Sequence, residues 1–447
     1  VAKQTGHPTG RLGRAGSFFP SRRGLLRLLA GTGIGMAGCT TVGSRRAQGL
    51  PGAGPGGVAG DTRPAEWMAG WTQFKARFVS SDGRVVDAGN KGVSHSEGQG
   101  YGMLFAAAAG DQEAFERIWS WTRDNLQTRP DDDLLSWRWV PNGGGQGKVD
   151  DPNNATDGDL LAAWALARAG QRWSEPAYRD ASMALCRDIL RLTVLERDGT
   201  LMMLPGVQGF RREQAVVLNP SYYVFPAIDA LGMVTGDVIW QRLSSDGADL
   251  IEQARFGRWN LPPDWLLVRY EEPDPEPPPE EQAEAAEAEA EADSPSEGTA
   301  DGANGDATAE GDAAAEAAEA DAEQDEEPKP RLDLPEGFDP AFGFNAIRIP
   351  LNLVWGGRQT RKRLKPFIEF WGHVEGARFT ASWTDLSKDT VTVYDSNPGF
   401  QAIFELTNAA WENRALAAGA LPVLDQDADY YASALWLQAG LAREGWA

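Results

Sequence analysis

Ser94-His95-Ser96-Glu97-Gly98-Gln99-Gly100-Tyr101-Gly102-Met103 opens the stretch that organises this chain, and Ala155-Thr156-Asp157-Gly158-Asp159-Leu160 closes it. Each run sets a carboxylate among small residues at the mouth of a segment with helical character. Gly98, Gly100 and Gly102 flank one acid and Gly158 the other, which is expected to let a bulky ligand approach the backbone. Trp137 and Trp139 stand between the two runs, in a Gly- and Asn-rich stretch that reads as loop.

Outward from this stretch the pattern is helical. Upstream, Trp67, Trp71, Phe74 and Phe78 fall at helical spacing and form the stripe of an amphipathic helix. Asp82-Gly83 reads as a turn and 85–86 as a short strand. Further helices are expected over 101–109, 113–126, 160–169, 176–194, 222–231, 238–254, 360–375, 399–418 and 429–442, with short strands at 201–204, 266–269 and 391–394. About ten helices joined by loops, with so few strands, favour an all-α toroid over a parallel-sheet enzyme.

Of the 447 residues, 271–330 hold 23 acids and one Lys, so this tract carries nearly all of the formal charge of −23. Repeated Ala-Glu without Leu, Ile or aromatics cannot bury enough surface to repay ordering, and the tract reads as a disordered insertion. The leader 1–48 carries eight Lys or Arg and no acid; what remains has 42 acids against 33 bases, which argues against nucleic acid as a partner. Without leader and tract, roughly 330 residues are left, enough for one large domain made of two segments, 63–270 and 331–447. Cys39 and Cys186 are too few for a disulfide framework.

The leader reads as an export signal. Ser21-Arg22-Arg23-Gly24-Leu25-Leu26-Arg27 has the twin-arginine pattern, and a modest apolar region follows it. Met36-Ala37-Gly38-Cys39 resembles a lipobox, which makes Cys39 a lipidation candidate, while Arg46-Ala47-Gln48 leaves room for ordinary cleavage. Both routes end outside the inner membrane, in the periplasm. The Gly-, Pro- and Ala-rich residues 49–62 form a tether.

Two displayed acids with indoles between them suit hydrolysis of a sugar polymer: one acid for the leaving oxygen, a second carboxylate nearby, and flat faces for the rings. The S-E-G-Q-G-Y-G-M run, and the A-T-D-G-D run followed by Ala, Leu, Ala and Trp, resemble glycoside hydrolase family 8, in particular endoglucanases encoded with bacterial cellulose synthases. Leu204-Pro205-Gly206, Leu218-Asn219-Pro220-Ser221-Tyr222, Asp264-Trp265, Ala346-Ile347-Arg348-Ile349-Pro350 and Tyr430-Tyr431 extend the likeness from about Trp67 onward, apart from the insertion. It implies an (α/α)6 barrel of six helix hairpins and an inverting endo-β-1,4-glucanase. The expected partners are β-1,4-glucan and the cellulose-synthase machinery, and a monomer is expected.

By that resemblance Glu97 is the proton donor, which requires a raised pKa, and Asp157 grips the sugar where its ring distorts. Asp159 reads as structural; His95 stands where it can tune Glu97, but a lone His in a loop is more often a hydrogen-bonded structural residue. Arg348 orients the base or binds a hydroxyl, Tyr222 positions the water, and Trp137 and Tyr430 serve as platforms or cleft wall. The departure is Asn345, which stands where the cellulase branch has its general base. An amide orients water but cannot take its proton. Another branch of the family has Asn here and draws its base from an inserted loop; Asp264, Glu271, Asp339 and Asp425 are the candidates in this chain. Chitosan and mixed-linkage β-glucan remain alternative substrates, and a catalytically impaired glycan-binding lipoprotein is the rival from another class. No cofactor and no metal are expected, since no Cys or His cluster occurs.

Overall fold

The computed structural model describes residues 63–143, 146–270, 330–373, 381–393, 397–417 and 419–447. The expected export signal with Cys39, the tether and the acidic insertion up to 329 lie outside those residues. Eleven α-helices and twelve short strands occur among the described ones.

Five helices are apolar on nearly every side and therefore sit inside: α2 (Ser96–Ala109), α4 (Thr156–Arg172), α6 (Phe225–Thr235), α8 (Arg348–Trp355) and α11 (Tyr430–Arg443). Six others bury one stripe and face solvent with the rest: α1 (Ala65–Phe78), α3 (Gln112–Leu126), α5 (Pro176–Thr193), α7 (Val238–Gln253), α9 (Arg361–His373) and α10 (Pro398–Trp411). The inner helices touch in the order α2, α4, α6, α8, α11, and α1 closes the ring against α11 and α2. Outside, α3 lies on α2, α5 on α4 and α7 on α6, while α10 covers α8 and α11. This alternation of inner and outer helices is the expected (α/α)6 barrel. Asp111, Asp237, Asn397 and Asp429 each accept a backbone N–H at a helix start, which fixes where four of the helices begin.

Two departures from the sequence reading matter for function. The stretch holding Trp137 and Trp139 is a β-hairpin, β2 (Ser136–Gly143) and β3 (Gln146–Asn154), docked on β1 (Ser94–His95) with His95 opposite Arg138. Alternation in Ser136-Trp137-Arg138-Trp139-Val140 is a strand pattern that the glycines beyond it disguised. The other is α8, which was not expected as a helix. Its Pro350 lies in the first turn, where the missing N–H would have had no partner in the helix.

The remaining strands close the ends of helical hairpins. β4 (Val194–Arg197) pairs with β5 (Thr200–Met203). β6 (Arg211–Arg212), β7 (Ala215–Leu218), β8 (Leu266–Arg269) and β9 (Arg331–Asp333) form one sheet in that order. Because Arg269 stands opposite Arg331, the chain leaves after Tyr270 and rejoins at Pro330 on neighbouring strands. β10 (Ala341–Phe342), β11 (Ala381–Asp385) and β12 (Thr390–Val393) form another sheet, beside the turn that leads into α8. Val85 makes only an isolated bridge to Val79 in place of the short strand expected there.

Candidate active site

Glycine decides how closely α2 and α4 approach. A Cβ on Gly158 would stand 2.3 Å from Ser96 Oγ and 2.7 Å from Glu97 N, and one on Gly100 would stand 2.6 Å from Leu161 Cβ. Gly98 faces the Tyr430 hydroxyl in the same way, at 2.6 Å. These glycines serve contact between helices, where the sequence suggested contact with a ligand. Their effect is to bring the first turns of α2 and α4, and with them Glu97 and Asp157, face to face.

The two side chains are 13% and 2% exposed and hydrogen-bond to each other. Arg348, on the first turn of α8, reaches both: its Nη1 donates to Glu97 Oε1 and lies 3.3 Å from Asp157 Oδ2. The Tyr101 hydroxyl, one turn beyond Glu97, donates to the same Oε1 at 3.1 Å. The other end of the fork, Nη2, donates to Ser221 Oγ at 3.1 Å and to Asn345 Oδ1 at 3.0 Å. A lysine has no second arm to make these contacts.

Burial, and then the Glu97 carboxylate beside it, hold the Asp157 carboxyl well above the usual range, with Arg348 opposing only in part. For Glu97 burial also pushes upward, but Arg348, His95 and the hydrogen bonds from Asp157 and Tyr101 together carry it below its ordinary value. The raised member of the pair is therefore Asp157, where the sequence reading required it to be Glu97. The reason is placement: the guanidinium sits closer to Glu97, and Asp157 lies deeper. Like charges this close share one proton.

Asp159, two residues further along α4, plays the structural part expected of it. Its Oδ1 accepts from Leu135 N and its Oδ2 from Asn154 Nδ2, each at 2.8 Å, which pins both ends of the hairpin. Burial raises its pKa to about 7. On the far side of Arg348, Asp264 accepts the backbone N–H groups of Gly343 at 2.9 Å and Ala346 at 2.7 Å and so holds the turn that carries Asn345. Asp339 and Asp425 are exposed and share no hydrogen bond with this network among the described residues; Glu271 lies outside them.

Residues 59–278 match the family model described as Glycosyl hydrolases family 8. The chain is 36% identical over 387 residues to a probable endoglucanase of Novacetimonas hansenii, covering 87% of this chain and 94% of that one. The chain is a family 8 glycosyl hydrolase. Its structure superposes on the endo-β-1,4-glucanase CMCax of Acetobacter xylinum with a TM-score of 0.66 at 36% identity, covering 85% of this chain and 98% of that one. A family 8 endoglucanase, Cel10 of Klebsiella pneumoniae, gives a TM-score of 0.65 at 30% identity, covering 84% and 99%.

Within this family 8 hydrolase the aromatic candidates fare differently from the charged ones. Tyr430 is 4% exposed, and its ring packs against Phe74 and Phe78 with centroids 5.9 and 5.8 Å apart, so it is a wall residue without a face for a sugar. Tyr222 is buried with the Arg348 guanidinium 5.9 Å above its ring. Trp137 stacks on His95 at 6.1 Å and 4°, so that one indole face is already used. Two site residues went unassigned in the sequence. Tyr101 could have been found from its spacing, four residues beyond Glu97 on the same helix face. Ser221 carried no such signal, because only the fold brings it to Arg348.

Proposed function

We propose that this hydrolase is an inverting endo-β-1,4-glucanase acting on cellulose-like glucan, with Glu97 as the acid. What carries the reading is the Glu97–Asp157 pair, two buried carboxyls held in contact and sharing one proton beside a fixed guanidinium. A glycosidic oxygen leaves only if it is protonated, and the pair supplies that proton without drawing on solvent. A sugar hydroxyl donating to Asp157 stabilises its ionised form, and the shared proton then passes to Glu97, which faces the leaving oxygen. Arg348 keeps the pair at a single negative charge before the reaction and offsets the second one after it.

Glu97→Gln keeps the shape and removes the transferable proton. Release of reducing ends from carboxymethylcellulose is expected to fall by about 10²- to 10⁴-fold, and equal activity in that variant would sink the assignment. Asn345 favours a second reading, a glycan-binding protein without turnover. Cello-oligosaccharide binding with no release of reducing ends supports that one instead.

The leader, with its twin-arginine pattern, supports export to the periplasm, and Met36-Ala37-Gly38-Cys39 supports a lipid anchor on Cys39. Mass spectrometry of the mature N-terminus separates lipidation from ordinary cleavage. We read the enzyme as a monomer that trims glucan during cellulose synthesis, with the acidic tract 271–330 inserted between two segments of one catalytic domain. Chitosan and mixed-linkage β-glucan are the competing substrates in the same assay.

A further inference from the structure

An inverting hydrolase needs a second carboxylate across the sugar from its acid, with a water between them, and Asn345 cannot be that group. Its Oδ1 is taken by Arg348 Nη2 at 3.0 Å, so what it can offer a water is its amide N–H. The same guanidinium donates to Glu97 through its other end. Asn345 Oδ1 is thus one guanidinium width and two hydrogen bonds from the acid, a span comparable with the roughly 6.5 to 9.5 Å of an inverting pair. The missing base should adjoin Asn345.

We propose that Asp264 is the general base, and that Asn345 holds the water from which it takes a proton. Asp264 sits against the turn 343–346: its Oδ1 accepts the N–H groups of Gly343 and Ala346, and the backbone of Asn345 also hydrogen-bonds to the carboxylate. Oδ2 lies over Gly343, where a Cβ would stand 2.7 Å from it and 2.9 Å from Trp383 Cδ1, so only a glycine lets the carboxylate and the indole come this close to the turn. Asp264 is also partly exposed, whereas Asp157 and Asp159 are sealed. A carboxylate serving only as a turn cap would not need that exposure. The charged and titratable groups that face it are Arg348, on α8, and the Tyr431 hydroxyl, on α11. Burial raises its carboxyl to about 6 against the turn's N–H groups and Arg348, close to what a base working near neutrality requires.

The step balances. The water oxygen bonds to the anomeric carbon as the glycosidic C–O bond breaks, the Glu97 proton goes to the leaving oxygen, and a water proton goes to Asp264. The inference rests on Glu97 as the acid, and the two fail separately: an active E97Q removes the acid, and an active D264N removes only the base.

D264N retains an oxygen for the two backbone N–H groups and abolishes basicity. Its kcat on carboxymethylcellulose should fall at least about 100-fold, with a native circular-dichroism spectrum and cellopentaose binding unchanged. The acid limb of its kcat/KM profile near pH 6 should vanish, and sodium azide, an anion that attacks without giving up a proton, should restore turnover in D264N but not in E97Q. A D264N enzyme with wild-type kcat, or an inactive one that azide fails to restore, overturns the proposal. Should D264N not fold, N345D decides. A carboxylate beside Arg348 should take over the water and move the acid limb to lower pH, and an unmoved limb with an unchanged rate overturns the assignment.

Discussion

The acid side and the water side of this site are built by different means. Glu97 and Asp157 stand on two helices pressed together through Gly100 and Gly158, with no room for a single added carbon at either. Asn345 stands on a turn held by backbone N–H groups that converge on one carboxylate, Asp264. Helix packing fixes the positions of the acids rigidly, and any change there is transmitted to both carboxyls. A turn fixed through its backbone tolerates exchange of the side chain it presents, because Asp264 holds main-chain atoms. That difference accounts for how position 345 can carry an amide while its surroundings stay ordered.

The comparison breaks most sharply at Gly158. Gly→Ala within a helix ordinarily stabilises by about 0.5–1 kcal/mol, but here the new Cβ would stand 2.7 Å from the Glu97 backbone nitrogen. Overpacking of this kind costs about 1–3 kcal/mol, and a displacement near 1 Å at the reacting groups costs on the order of 100-fold in rate. G158A should therefore lose about 100-fold in kcat and melt lower. Activity within twofold of wild type would mean that the helices are not in register with the chemistry.

Arg348 joins the two sides, and its effect should be smaller. Lysine keeps the charge but not the fork, so R348K can serve Glu97 or Asn345 and not both. One charge-assisted hydrogen bond contributes about 1.5–3 kcal/mol, which predicts a fall in kcat/KM of about 10- to 100-fold. If the loss appears in kcat with KM unchanged, the guanidinium acts on the transition state. A loss confined to KM would reduce it to a substrate anchor.

The barrel and the acid pair were legible in the sequence for related reasons. Trp67, Trp71, Phe74 and Phe78 declare a helix by spacing alone, and all four are buried in α1. Glu97 and Asp157 announced themselves by sitting among glycines, although the glycines turned out to serve helix packing. The hairpin at 136–154 was hidden because its glycines and asparagines imitate a loop, while its period-two segment is only about five residues long. The proton's place on Asp157 was not readable at all. It depends on which carboxyl the Arg348 guanidinium reaches first, and Arg348 arrives from 191 residues away in the chain. The convergence of Asp264 on the turn of Asn345 is likewise a product of the fold, since 82 residues separate it from Ala346.

The smallest effect lies in stability against pH. Folded Asp159 and Asp264 titrate at about 7 and about 6, whereas an unfolded Asp titrates near 3.9. Between roughly pH 4 and 7 the folded state therefore holds protons that the unfolded state has released. Stability is greatest at the acid end of that window and falls as pH rises through it. His95 works in the opposite sense, because burial lowers its pKa and the unfolded chain gains a proton below about 6.5. Acids lowered by ion pairs, such as Asp188 at about 2, lose their contribution only as pH falls below the window. The melting temperature should drop by a few degrees from pH 5 to pH 7.5. D264N separates the two sides of the site: its amide has no proton to release, so the slope between pH 4 and 6 should flatten by up to about 3 kcal/mol, while the Asp159 portion between pH 6 and 7 persists. A slope that D264N leaves intact would place the proton uptake on the helix side alone, and would remove the ground for treating the Asp264 carboxyl as one poised near neutrality.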